Sequence, residues 1–300
     1  MAQDERALNW DLPGAVADAA EEGDVDAVRD WLAAGGAPDA KNDGSTLLEI
    51  ASSTSRPSCA SVVAILCAAG ASTDGRSLAF AALHGAVDSV RVLLRYGANP
   101  NQGSLNYAVL ANQWQKFTDP WSIARAQAAA STGHQGIVRL LLKHGAAVNA
   151  RTGSDRFTPL MVAANYSGFL SLGVVRELLR GRADLNLVNA KGRNAEAIAR
   201  KRLSIEVRSG QGIPHDMKHC RRPGSVEAFL ALLAEVRAAG SWKRYVNAPR
   251  IDVIVLQRLC AAGRASPPPA LARLFPTKSP PLPKELVWLI LKFWRSDRDP

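Results

Sequence analysis

The chain is poor in the residues that usually build chemical sites. Its 300 residues include 4 Cys, 3 Met and 5 His, and aromatic side chains make up 6%. The cysteines at 59, 67, 220 and 260 share no framework spacing, and two fall inside helical patterns as small hydrophobes. A disulfide scaffold is not expected, and a reducing setting, cytoplasmic or nuclear, is. The opening Met1-Ala-Gln-Asp-Glu-Arg-Ala7 is acidic and has no apolar run, so no signal peptide is expected. The longest apolar stretch near the end, Leu286–Leu291, is too short to span a bilayer, which leaves no membrane role.

The same scarcity excludes most chemistry. His215-Asp-Met-Lys-His-Cys220 brings two His and a thiol together, but Pro214 and Pro223 frame it as a loop with no fourth ligand. Ser209-Gly-Gln-Gly-Ile213 follows no strand and precedes no Gly-Lys-Ser/Thr, so it is not a phosphate cradle. Cys59, Cys67 and Cys260 sit in helical patterns with no His nearby in sequence, and no paired-carboxylate pattern stands out. Catalytic residues, a metal and cofactors are therefore all expected to be absent, and the chain is not expected to be an enzyme.

Charge is abundant but unevenly spread. The net charge is +10. Residues 1–50 hold twelve Asp/Glu against three Lys/Arg (−9), whereas residues 191–250 hold thirteen Lys/Arg against five acids (+8). Such a dipolar chain steers its partners and selects an acidic protein at the basic end, unless the charge serves solubility alone. Nucleic acid is not an expected partner, because no reading helix or stacking-aromatic module accompanies the charge.

What the chain does have is repetition. Val90-Arg-Val-Leu-Leu-Arg-Tyr-Gly-Ala-Asn-Pro-Asn101 has counterparts starting at Val28, Val62, Ile137 and Val174. The Gly before the Ala falls at Gly36, Gly70, Gly97 and Gly145, with Arg182 in the fifth copy. These intervals of 34, 27, 48 and 37 scatter around a period of about 33 residues, the mark of a stacked solenoid. Within each copy apolar residues recur at i, i+3 and i+4, as in Val90, Leu93 and Leu94 or Ile137, Leu140 and Leu141. That spacing makes one helical stripe, so Leu93 and Leu140 are expected to be buried between neighbours. The following Gly suits a C-cap with positive φ. A shorter Ala-rich helix precedes each, for example Leu78–Gly85 and Thr158–Ala164, where Thr158 can cap and Pro159 can stand first.

Thr158-Pro-Leu-Met-Val-Ala-Ala164 and Ala129–Ala146 resemble the ankyrin repeat: Gly-x-Thr-Pro-Leu-His-x-Ala-Ala, a helical Val-Val-x-Leu-Leu-Leu, then Gly-Ala. A sixth unit starts at Gly192-Arg-Asn-Ala-Glu-Ala-Ile-Ala199. The resemblance implies an all-α ankyrin-repeat solenoid over residues 13–240, with short hairpin fingers and insertions near 111–128 and 205–224. It also implies protein–protein recognition through the concave face and the fingers. Asn42, Arg76, Arg151, Arg156 and Lys191 lie at expected finger positions. The third unit is short between Gly70 and Leu78, so its finger is expected to be clipped. Trp114, Phe117 and Trp121, in the first insertion, either contact a partner or fold down onto the helices.

From residue 241 the pattern changes to a helical extension. Ile251–Gly263 reads as a short helix ended by Gly, a Pro-rich link follows, and Leu282–Trp294 is apolar nearly all round. A helix of that kind needs a cover. Leu282-Pro283-x-Glu285-Leu286-x-x-x-Ile290-Leu291 resembles the opening helix of an F-box. Leu256-Gln-Arg-Leu-Cys260, the Pro-rich spacer and Pro281-Leu282-Pro283 are similar to a SOCS box. The F-box resemblance implies docking on a cullin-ligase adaptor through Leu282, Pro283, Leu286, Ile290 and Trp294, and the SOCS-box resemblance implies docking through Leu256, Cys260, Leu282 and Pro283. The plain alternative is a helix pair that caps the solenoid.

Overall fold

A computed structural model describes residues 12–73, 76–101, 134–165, 172–209, 225–264 and 266. The repeats form helix pairs: α1 (Gly14–Glu22) with α2 (Val25–Ala33), α3 (Leu47–Ser52) with α4 (Pro57–Ala68), and α5 (Ser77–His84) with α6 (Val87–Arg95). Between α2 and α3 lies a hairpin of β1 (Lys41–Asn42) and β2 (Ser45–Thr46). Helix α7 covers 134–143. It is followed by α8 (Pro159–Asn165) paired with α9 (Leu172–Arg180), then α10 (Ala195–Ser209), α11 (Ser225–Ala238) and α12 (Trp242–Ala261). Inner helices stack on inner ones (α1 on α3 on α5, α8 on α10), and outer on outer (α2 on α4 on α6). This is the all-α repeat solenoid expected from the period. The chain divides into two compact units, Met1–Leu230 and Ala231–Pro300.

Each helix buries the stripe its spacing defines. In α6, Val90, Leu93 and Leu94 are buried, and in α9 Val175, Leu178 and Leu179 are. In α7 the stripe centres on Ile137, Val138 and Leu141; Leu140, expected to be covered like Leu93, is only half-buried at the stripe's edge. The inner helices carry Ala in their packed faces: Ala51, Ala79, Ala81, Ala82, Ala163 and Ala164 are all buried. At Gly23 the approach is tighter still. A Cβ there would stand 2.1 Å from Ser58 Oγ, and its φ of 83° disfavours a side chain independently.

The outer helices all end alike. The N–H groups of Gly35, Gly70, Gly97, Gly145 and Arg182 bond to Leu32, Cys67, Leu94, Leu142 and Leu179. One residue on, Gly36, Ala71, Ala98, Ala146 and Ala183 bond to Trp31, Leu66, Leu93, Leu141 and Leu178. This nested pair closes a helix around one left-handed residue. The first copy corrects the sequence register: the positive φ, 92°, belongs to Gly35, not Gly36. Helix α2 stops at Ala33, one residue earlier than the Gly-Ala spacing implied, and Gly36 supplies the second N–H. In the fifth copy Arg182 adopts φ 67° without being a glycine.

Helix starts are also written locally. Thr46 accepts from Glu49 N while Glu49 accepts from Thr46 N, a complete capping box. Thr158 accepts from Met161 N ahead of Pro159, as expected. Between repeats, one Asx side chain per turn bonds the next unit's backbone. Asp39 Oδ1 accepts from Ser72 N (2.8 Å), Asn101 Oδ1 from Ala147 N (2.7 Å) and Asn149 Oδ1 from Asp184 N (2.9 Å).

Two expectations about helix extent are revised. Helix α10 stays regular through Ser209, past the point where an insertion was expected to begin. Its Ala-, Arg- and Glu-rich sequence favours helix, and Arg200 bonds Glu196 one turn back. Helix α12 starts at Trp242 rather than near Ile251 and passes through Pro249, which has no N–H to give Tyr245's carbonyl. Ser241 caps it by accepting from Arg244 N, which starts the helix upstream of the proline.

Candidate protein-recognition surface

The fingers are built by tight turns. In the first, Asp43 (φ 47°) and Gly44 (φ 77°) sit between paired Asn42 and Ser45, the two-residue turn whose twist suits a hairpin. The second is the bridge between Thr152 and Phe157, with Gly153 (φ 71°) and Arg156 (φ 54°) inside its turn. At the third, Asn189 Oδ1 accepts from Lys191 N and Arg193 N and so folds the loop on itself. The second and third fingers are joined: Asp155 accepts from Ala190 N through its carbonyl, and its carboxylate pairs with Lys191 Nζ at 2.9 Å.

The finger residues singled out in the sequence divide by surroundings. Arg151, Arg156 and Lys191 are exposed, the last with the Asp155 contact just described. Asn42 is half-buried and donates to Leu12's carbonyl. Arg76 is more occupied. Its Nε and Nη2 reach Glu49 Oε1 and Oε2 at 3.1 and 3.2 Å, its own N–H adds a third bond, and its guanidinium lies over Phe80. Glu49 is buried, and burial pushes its carboxyl pKa up. The Arg76 guanidinium and N–H, with Thr46 N–H, outweigh that and hold it below the ordinary value. Arg76 therefore ties the third repeat to the second as well as offering a cation to solvent.

Glu177 repeats this device further along. It is buried in α9 and accepts from Gln135 Nε2 (3.2 Å) and from Arg139 Nε and Nη2, with Arg180 Nη1 at 3.7 Å. The hydrogen bond to Glu177 raises the Arg139 pKa. The sequence pattern missed both carboxylates, because a Glu on an apolar stripe looks like an interruption. Their signal is an Arg one repeat away.

Trp114, Phe117 and Trp121 lie outside the described residues, as do Leu282, Pro283, Leu286, Ile290 and Trp294. Leu256 and Cys260 are described, one turn apart and half-buried on α12. The His215–Cys220 loop is also outside. Among the described residues no group of His, Cys, Asp and Glu is arranged to hold a metal. Burial pushes the Cys67 thiol up to about 11, so it is a packing residue at neutral pH. No helix among the described residues is long and apolar enough to cross a membrane.

Stacked helix pairs, recurrent caps and protruding turns define a repeat protein of the binding class. The family model for ankyrin repeats (3 copies) matches residues 16–104 and 115–189, more than half of the chain, and the chain belongs to that family. It is accordingly a scaffold for protein–protein interaction. No curated protein matches the chain.

Proposed function

We propose that the finger row recognises an acidic segment of a partner protein, with the neighbouring concave helices completing the surface. One observation carries this reading: exposed Arg151, Arg156 and Lys191 stand on two adjacent fingers fixed to each other through Asp155. Cations on a preorganised backbone give up little entropy on binding and steer an acidic partner from a distance. Trp114, Phe117 and Trp121 are further contact residues in this reading. The test is capture of binding proteins by the whole chain and by an Arg151→Glu/Arg156→Glu variant in a cytoplasmic or nuclear extract. Loss of binding at unchanged melting temperature supports the reading, and undiminished binding of the same proteins overturns it.

A second reading makes the chain the substrate receptor of a cullin-type ligase. Its support is the pattern Leu256–Cys260, one turn apart on a regular helix, followed by the motif from Leu282. Leu286→Asp or Ile290→Asp then abolishes recovery of an F-box-type adaptor, while Leu256→Asp abolishes recovery of elongin. A tail that only caps the repeats yields no ligase subunit in either experiment.

A further inference from the structure

Helix α12 carries a feature that neither the fingers nor the adaptor motifs use. Ile251, Val255, Arg258 and Ala262 recur at i, i+4, i+7 and i+11, which aligns them along one side of the helix, and all four are exposed. Ile251 (45% exposed) and Val255 (47%) stand one turn apart, whereas the other large exposed apolar residues described, Tyr96 and Val188, are isolated in sequence. The helix has a covered side as well, because Tyr245 and Ile254 are buried. Leu256 and Cys260 lie away from the exposed stripe and are half-buried.

The charge around the stripe is mainly positive, with exposed Asp252 beside Ile251 as the exception. From Trp242 to Arg264 there are five Lys/Arg against the single acid Asp252, and Lys243, Arg244, Arg258 and Arg264 are exposed. Arg244 and Arg258 fall on either side of the Ile251–Val255 pair, about 21 Å apart along the helix at 1.5 Å per residue. A small apolar centre with a charged rim is the anatomy of a protein interface. A helix that lies in a membrane surface instead presents a wide unbroken apolar face with its cations on the opposite side. Here Arg258 interrupts the stripe itself.

We propose that this side of α12 docks an acidic amphipathic helix of a partner protein. Apolar side chains of that helix rest on Ile251 and Val255, and its carboxylates meet Arg244 and Arg258. Two helices joined this way interlock their side-chain ridges, and opposite charge sets the partner's direction. The inference is independent of the finger row and of the ligase reading.

The test uses the full chain and a labelled synthetic helix with leucines at i, i+4 and i+7 and glutamates beside them. A second helix has lysine at every glutamate position, and vesicles of mixed phosphatidylserine and phosphatidylcholine are the third probe. The acidic helix is expected to bind, and to lose affinity as salt is raised. Val255→Asp and Arg258→Glu are each expected to weaken it about tenfold or more, the lysine helix to bind at least as poorly, and the melting temperature to stay unchanged. Should Val255→Asp disturb folding, the exposed Arg258→Glu alone decides. No binding of the acidic helix, equal binding of both helices, preferential capture of the vesicles, or self-association of the chain abolished by Val255→Asp would each overturn the proposal.

Discussion

Helices α6 and α12 carry similar apolar residues and use them in opposite ways. Along α6, Val90, Leu93 and Leu94 disappear between α5 and the neighbouring repeat; along α12, Ile251 and Val255 stay in solvent. The difference follows from the repeat. A helix inside an array has a neighbour with the same shape on each side, so the centre of its apolar stripe is covered. A helix that follows the array has no such guarantee. An apolar pair that stays exposed there is available for recognition rather than stability.

Truncating a leucine inside the array tests this contrast. Leu93→Ala is expected to cost about 2–5 kcal/mol in denaturant unfolding, because it opens a cavity between fixed neighbours. Leu140→Ala, at a half-buried site in the equivalent position, is expected to cost clearly less. Equal losses at the two positions would mean that the stripe of α7 is centred elsewhere.

Next come the buried carboxylates. Glu49→Gln removes the charge that Arg76 and two N–H groups satisfy, and about 1–3 kcal/mol of stability is expected to go with it at neutral pH. The sign with pH follows from the depressed folded pKa. The contribution is present above the ordinary value of 4.5 and disappears as pH falls through the lower folded value. The wild-type and Glu49→Gln unfolding midpoints are therefore expected to converge in acid, and parallel midpoints across the range would contradict the assignment.

Smaller effects concern single turns. Arg182→Gly is expected to stabilise the fifth repeat by about 1 kcal/mol, since the left-handed φ there is strained for any residue with a Cβ. Val255→Ala is expected to change unfolding by less than about half a kilocalorie, as for other exposed substitutions. A large loss there would place Val255 in a packed interface and remove the contrast with α6.

The period was legible because one phrase recurs along the chain, and the apolar stripes and several caps because each depends on residues within one turn of each other. Thr158 with Pro159, and Gly70, Gly97 and Gly145, were readable for that reason. The misreading of Gly35 has the same root: two adjacent glycines both satisfy the local rule, and only the end of α2 at Ala33 decides between them. The start of α12 was hidden by Pro249, a residue that usually marks a boundary. The pairs Glu49–Arg76 and Glu177–Arg139 connect neighbouring repeats, across 27 and 38 residues, so no local pattern contains them. The Asx ladder lies between these cases. Asn101 and Asn149 recur visibly at the end of their copies, but their acceptance of the next unit's N–H needs the stack itself.

The role proposed for the fingers of this ankyrin scaffold is to hold an acidic protein partner through Arg151, Arg156 and Lys191. Its most direct test is the affinity of the full chain for a purified captured protein as Arg151, Arg156 and Lys191 are changed singly and together to Glu. A stepwise loss of affinity is expected, smaller in raised salt, with the unfolding midpoint unmoved apart from the Lys191–Asp155 contact. Affinity that survives the triple change, or falls only as the repeats unfold, would contradict it.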